Sequence, residues 1–388
     1  MSGVHRLRTP PPIYLDCAAT TAVDPRVAEL VTRLFMEEFG NAGSRTHAYG
    51  AAALREVNLA RERIATAMRA SPEEVIFTSG ATESDNLAIL GLAAWGKDHA
   101  RRHIVSTQIE HKAVLEPLQR LAQQGYEVTL VPPNAHGHVA AEAVLAAVRP
   151  DTLLVSIMHA NNETGALQPI EAIANGLDPD GGPFFHVDAA QTFGRDTRAL
   201  SHARIDLVSA SGHKVFAPKG VGCLLMRRRR NQRAPIAPLM VGGGQERGLR
   251  PGTLPVPLIA GFGLAAEIAE AEQEERRATC LHIRQEALRA FARLSPVVHG
   301  DEARGVLPHL LSIAFPGVDS EAVMIALKEA VAISNGSACT SAKYEPSHVL
   351  EAMGLPEDVT RGTVRMSWSH ATPAVAWDRL AERLAEFA

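Results

Sequence analysis

The chain has 388 residues, 46% of them hydrophobic and 21% charged, with a formal net charge of −4 at pH 7. That balance offers no global field for nucleic acid or an anionic membrane, and no stretch approaches the roughly 18 consecutive apolar residues of a membrane span. The length suits two or three domains of about 150 residues around a large core.

Residues 1–12 are basic and proline-rich, lack the apolar segment of a signal peptide, and read as a flexible arm. Four cysteines, Cys17, Cys223, Cys280 and Cys339, are scattered without a C-x-x-C pair. That argues against zinc or a disulfide framework and for a reducing cytoplasm. Segments of strand and helix period then alternate, which predicts an α/β fold with a mostly parallel sheet. A short strand spans 13–16. Asp24-Pro25 opens a helix, with the aspartate as cap and the proline in the first turn. A long amphipathic helix follows over 51–68. The strand 75–77 ends in the turn Thr78-Ser79-Gly80-Ala81-Thr82, and a helix runs over 83–95. Unpaired amides at a helix start carry partial positive charge. A glycine there lets a phosphate approach, and Thr82 adds a hydroxyl. The same residues also suit an ordinary capped turn.

The strand 103–107 delivers Glu110-His111-Lys112 to the sheet edge, where an imidazole can stack on a flat cofactor and shuttle protons. Strands at 126–131 and 152–157 follow. The second runs into Asn161-Asn162-Glu163-Thr164-Gly165, turn chemistry whose amides also stand where a substrate carboxylate could be held. Residues 175–182 are rich in glycine and proline and predict a loop. The strand 184–188 ends in Asp188, and Gln191, one helical turn on, is placed to donate to a ring oxygen. The strand 205–208 leads into Ser209-Ala210-Ser211-Gly212-His213-Lys214. Taken singly, the lysine reads as a solvated side chain and the aspartate as a helix cap. At the C-terminal ends of neighbouring parallel strands they face one crevice. Pyridoxal phosphate needs that pair: the lysine holds it as a Schiff base, and the aspartate keeps its pyridine nitrogen protonated.

The strand 221–226 ends in four arginines, Arg227 to Arg230. The run is short and the chain acidic, so it reads as a solvated strand end rather than a nucleic-acid surface. After a glycine-rich loop at 242–248, one long helix over 258–293 marks the boundary between a large domain, 13–257, and a smaller α+β domain, 258–388. Strands at 312–315, 331–333 and 363–368 and helices at 320–329 and 373–387 complete it. The loop 334–341 sets Cys339 among small polar residues, which makes its thiol a candidate nucleophile.

The assembled motifs resemble those of the cysteine desulfurases, a branch of the class V, fold-type I enzymes dependent on pyridoxal phosphate. The resemblance covers nearly the whole chain. It rests on F-T-S-G-A-T-E-S-D-N at 77–86, E-H-K-A-V at 110–114, N-N-E-T-G at 161–165, H-V-D-A-A-Q at 186–191, S-G-H-K at 211–214 and G-S-A-C-T-S at 336–341. It implies a large domain with a mostly parallel seven-stranded sheet and a smaller α+β C-terminal domain. Lys214 would carry the cofactor, Asp188 would pair with the pyridine nitrogen, Gln191 with the ring oxygen, and His111 would stack and transfer protons. Ala81, Thr82, Ser211 and His213 would hold the phosphate, and Thr253 would reach that of the second subunit of a homodimer. Asn162 and Arg365 would bind the substrate carboxylate, which suits the guanidinium fork. Cys339 would take sulfur from L-cysteine as a persulfide, release L-alanine, and pass the sulfur to an acceptor protein.

The longer Cys339 segment resembles the branch that feeds iron–sulfur assembly and tRNA thiolation. Residues 334–339 and 346–354, with Cys17, are similar to desulfurases that serve DNA phosphorothioate modification. Two departures stand out: Gln245 where the family more often has histidine, and Ser369-His370 where Gly-Arg often follows. A selenocysteine lyase and a plain aminotransferase share the fold, and a non-catalytic partner scaffold is a further alternative. The intact Lys214, Asp188, His111, Arg365 and Cys339 argue against the scaffold. No metal, membrane or direct nucleic-acid contact is expected.

Overall fold

The computed structural model describes residues 11–335 and 347–386. Cys339 and its motif lie outside them, as do residues 1–10 of the expected arm. The chain forms two compact units. One comprises Thr20–Asn161 and Ala166–Gln273; the other gathers the described residues up to Ala19, Asn162–Gly165, and those from Glu274 on.

The first unit is built on a seven-stranded sheet. Its order is Val75–Thr78, Gly222–Met226, Leu207–Ser211, Phe184–Asp188, Thr152–Met158, His103–Thr107 and Glu127–Val131. Gly222–Met226 runs antiparallel to both its neighbours, and the remaining pairs are parallel. The strands His103–Thr107, Thr152–Met158 and Leu207–Ser211 are buried along their whole length. That is the pattern of parallel strands covered on both faces. Polar residues placed inside such strands must find partners within the protein, and several of them underlie the site described below.

The helix Ala48–Ala67 packs on Val256–Ala271 so closely that a Cβ on Gly263 would stand 2.4 Å from the Ala60 Cα. Two helices expected as single elements are each broken. Residues 83–95 fall into Ala81–Gly91 and Ala93–Asp98. The long helix at 258–293 is Val256–Ala271 followed by Gln273–Phe291. Glu272 interrupts it, with φ −104° and ψ 10°, and its side chain accepts from Arg26 at 2.7 Å.

In the second unit, Thr363–Ser367, Leu310–Ala314 and Val297–Val298 form an antiparallel sheet, and Ile13–Tyr14 pairs in parallel with Val331–Ala332. Leu15, Phe291, Leu311, Ile313, Trp368 and Trp377 are buried in its core. Among the described residues, no helix is long and apolar enough to cross a membrane.

Candidate active site

Two adjacent strands set the frame. Phe184–Asp188 and Leu207–Ser211 are parallel neighbours, with Asp188 in register with Ser209. Just past Ser211 the chain tightens into the single turn Gly212–Lys214. A side chain on Gly212 would press within 3.0 Å of Val221, which explains the glycine before His213 and Lys214. The turn is braced from outside. Thr21 donates its hydroxyl to the His213 carbonyl at 3.0 Å and accepts the Phe216 amide at 3.0 Å, while Arg195 donates to the Lys214 carbonyl at 2.8 Å. Phe216 itself is left-handed, φ 65°, so the lysine sits on a strained, over-determined turn.

Asp188 is buried. Its Oδ1 accepts the Ala190 amide at 2.8 Å, and its other oxygen takes no hydrogen bond among the described residues. Gln191 is buried beyond it. The helix Ala81–Gly91 begins at Gly80, whose φ of 155° is one that L side chains rarely adopt. The Thr78 and Ser84 hydroxyls bond each other at 2.8 Å and both reach the Gly80 carbonyl. The Ser211 hydroxyl faces the same point, 3.6 Å from where a Gly80 Cβ would stand. Ala81, Thr82 and Ser211 are therefore gathered at a helix N-terminus. His213 Nδ1 lies 3.1 Å from the Thr20 hydroxyl, and burial, then the charges of Lys214 and Lys219, push its pKa down to about 4, so it offers a neutral ring. Thr253 is exposed, next to Gly252, whose amide the Gln245 side chain accepts at 2.8 Å.

His111 caps the helix Lys112–Ala122: its Nδ1 accepts the Ala113 amide at 3.1 Å. An imidazole that accepts at Nδ1 carries its proton on Nε2 when neutral. The cap thus fixes the tautomer and leaves Nε2 as the donor.

Pyridoxal phosphate fits this set of groups. The turn presents a primary amine, Asp188 has an oxygen open for the ring nitrogen, and the glycine-opened helix start with Ser211 and Thr82 supplies phosphate donors.

In the other unit Arg365, buried on Thr363–Ser367, donates to Asp16 Oδ1 at 2.7 Å and to the Asn162 carbonyl at 2.9 Å. Its Nε has no hydrogen-bond partner among the described residues. Asn162 and Arg365 are thus brought together. Asn161, in the first unit, turns its amide to the Ile109 carbonyl at 2.9 Å and serves as a structural tie. Neighbouring asparagines with different fates are not separable by turn chemistry alone.

The arginine run is not a uniformly solvated strand end. Arg227 is buried, donating to the Met68 and Ile205 carbonyls, and burial lowers its pKa to about 10. Arg229 lies over the Phe184 ring at 5.3 Å. Arg228 and Arg230 remain exposed. Sequence reading also passed over Asp16, Asp85, Glu110, His186 and Glu246. For Asp16 and His186 a signal was available, a charged or imidazole side chain inside or beside an apolar run.

Known proteins share this architecture. The family model for aminotransferase class-V matches residues 13–380. The cysteine desulfurase IscS of Serratia proteamaculans is 43% identical over 363 residues, spanning 93% of this chain and 89% of that protein. The crystal structure of DndA from Streptomyces lividans superposes with a TM-score of 0.81 at 49% identity, covering 92% of this chain and 99% of that one. A structure of SspA in complex with cysteine superposes at 0.78 with 38% identity, covering 92% and 98%. The chain belongs to the class-V aminotransferase family, as one of its pyridoxal-phosphate-dependent cysteine desulfurases.

Proposed function

We propose that Lys214, His111 and Cys339 carry the desulfurase reaction, that Asp188, Gln191, Ala81, Thr82, Ser211 and His213 hold the cofactor, and that Asn162 and Arg365 hold the substrate carboxylate. The observation that carries this reading is the register of Asp188 with Ser209, five residues before Lys214, across two parallel strands. When bound, pyridoxal phosphate supplies a sink for the electrons left on the substrate Cα. Lys214 Nζ would take the proton from the substrate Cα, and His111 would donate one from Nε2. Asp188 holds the proton on the ring nitrogen. The Cys339 thiolate attacks the substrate sulfur, its C–S bond breaks, and the sulfur stays on Cys339 as a persulfide while protonation yields alanine.

The chain works as a homodimer in this reading. Phe35, Met36, Phe39 and Tyr49 leave an apolar patch exposed on the first unit, with Phe39 and Tyr49 stacked at 5.7 Å. Such a patch is the kind of surface a second copy covers, and Thr253 would then serve the partner's phosphate. The chain acts in the cytoplasm, and its sulfur goes to a DNA-phosphorothioation partner. The motifs around residues 334–354 and the 49% identity to DndA support that destination. The identity to IscS keeps iron–sulfur assembly and tRNA thiolation as the second destination.

The test is alanine and sulfide release from L-cysteine with a reductant, in wild type, Cys339→Ala and Lys214→Ala. Wild type alone should release both products. Full activity in Cys339→Ala would remove the persulfide step and leave a lyase that needs no thiol. Transfer of labelled sulfur to purified acceptors of each pathway then decides the destination.

A further inference from the structure

Asp188 is flanked by two further buried carboxyl groups, one on each side. On one neighbouring strand, Met158 is in register with Asp188, and its amide donates to Glu110 Oε1 at 2.9 Å. The Thr107 hydroxyl donates to the same oxygen at 2.8 Å. On the other neighbouring strand stands Ser209. Its hydroxyl meets His186 Nε2 at 2.9 Å, and that nitrogen lies 3.5 Å from Asp85 Oδ1. The far nitrogen of His186 meets the Ser156 hydroxyl at 2.9 Å. Asp85, Glu110 and His186 are fully buried and Asp188 is 7% exposed.

The other titratable groups here are few. Lys214 acts on Asp85 from the turn. His159 bonds the Asp188 carbonyl through its amide and Thr192 through its ring. His111 follows Glu110 in sequence. Three carboxylates in a water-excluded space beside one lysine cannot all be ionised, because each added charge is unsolvated and repelled by the last. His186 and His159 bring no compensating charge: burial pushes their pKa values down to about 3 and about 4. Burial, then the charge of Asp188, drives the Asp85 carboxyl well above its ordinary range. Burial brings Glu110 to about 8, against the pull of the Met158 amide and the Thr107 hydroxyl.

We propose that Asp85, Glu110 and Asp188 form a buried three-carboxyl cluster holding one negative charge. Asp188 is its anion, and Asp85 and Glu110 are neutral acids that position it from either side. The idea rests on the assignment of Asp188 to the ring nitrogen and goes beyond it. With its neighbours neutral, Asp188 is the sole carboxylate of the trio available to the cofactor.

The experiment is infrared difference spectroscopy of the holoenzyme at neutral pH, wild type against Asp85→Asn and Glu110→Gln. Wild type should show carboxylic-acid C=O bands, one lost in each variant. Since each amide mimics a neutral acid, both variants should retain the cofactor within about threefold of wild type. Asp188→Asn should weaken retention by roughly a hundredfold or more. Absence of protonated-carboxyl bands, or their persistence in both variants, overturns the cluster. Retention of the cofactor by Asp188→Asn sinks the ring-nitrogen assignment alone, while the infrared bands still report the cluster. Loss of cofactor in Glu110→Gln as deep as in Asp188→Asn shows that Glu110 acts as an anion and overturns the proposal.

Discussion

Asp16 and Arg365 meet at 2.7 Å across 349 residues of sequence. The carboxylate also accepts the Ser334 hydroxyl at 3.2 Å, and the guanidinium is 3% exposed. Both terminal nitrogens of the Arg365 fork are therefore held by the protein itself, and Nε is left without a hydrogen-bond partner among the described residues. Asp16→Ala should raise the KM for L-cysteine by about tenfold, the cost of a lost charged hydrogen bond, with a smaller change in kcat. Steady-state alanine production measures the split. An unchanged KM would mean that Arg365 needs no such support.

His111 caps a helix and, in the proposed mechanism, donates a proton, and these roles separate by substitution. Asparagine is a good cap, so His111→Asn should leave the melting temperature close to wild type while kcat falls by about 10²- to 10⁴-fold. His111→Ala should lose the same activity and about 1 kcal/mol of stability as well. If His111→Asn keeps wild-type turnover, the ring moves no proton that limits the reaction.

Buried histidines make the fold acid-sensitive. Burial lowers His159 to about 4, His186 to about 3 and His299 to about 4. In the unfolded chain these rings take protons near pH 6.5, and in the folded one they refuse them until far lower. Stability is therefore full above about 6.5 and is lost as the pH falls toward these folded values. Glu110 acts in the opposite sense. Its folded pKa of about 8 lies above the ordinary 4.5, so its contribution is full below about 4.5 and lost as the pH rises through about 8. Melting curves of the apoprotein should show both flanks, with the alkaline one reduced in Glu110→Gln. An alkaline flank unchanged in that variant would contradict a neutral Glu110.

Glu246 anchors the glycine-rich loop to the first unit's sheet and helices. Glu246 accepts from Arg61 at 2.6 Å and from the Phe77 amide at 2.7 Å, and is buried, with left-handed backbone at φ 46°. Removing one partner of a buried pair costs about 3–5 kcal/mol, so Glu246→Ala should lower the melting temperature sharply. A loss no larger than that of an exposed pair would show that water reaches Arg61.

The lysine and aspartate stand out in sequence only as a pair, each following an apolar run, and the structure places those two runs on adjacent parallel strands. The division at Glu272 was not legible. Residues 258–293 keep helix-forming composition throughout, and the side chain at the interruption meets Arg26, far away in the chain. Resemblance singles out Arg365, but its contact with Asp16 is not legible in sequence, since that contact joins opposite ends of the chain. Asp85 and Glu110 lie within the motifs, but nothing beside them in the sequence marks their burial. Their character comes from what surrounds them in the sheet, and no local pattern records that a carboxyl will be deprived of water.

The strand Ile13–Tyr14 pairs with Val331–Ala332, and Leu15 is buried in the core with Trp368. On a ribosome adding about 5–20 residues per second, the first strand waits on the order of tens of seconds for its partner to be made. The sheet of the first unit is complete in sequence by Met226, well before that. Synthesis thus imposes an order of assembly: the strands that carry the lysine and aspartate are made while Arg365, proposed above to hold the substrate carboxylate, is still unmade. A nascent chain stalled short of residue 331 should hold cofactor and yet fail to bind cysteine.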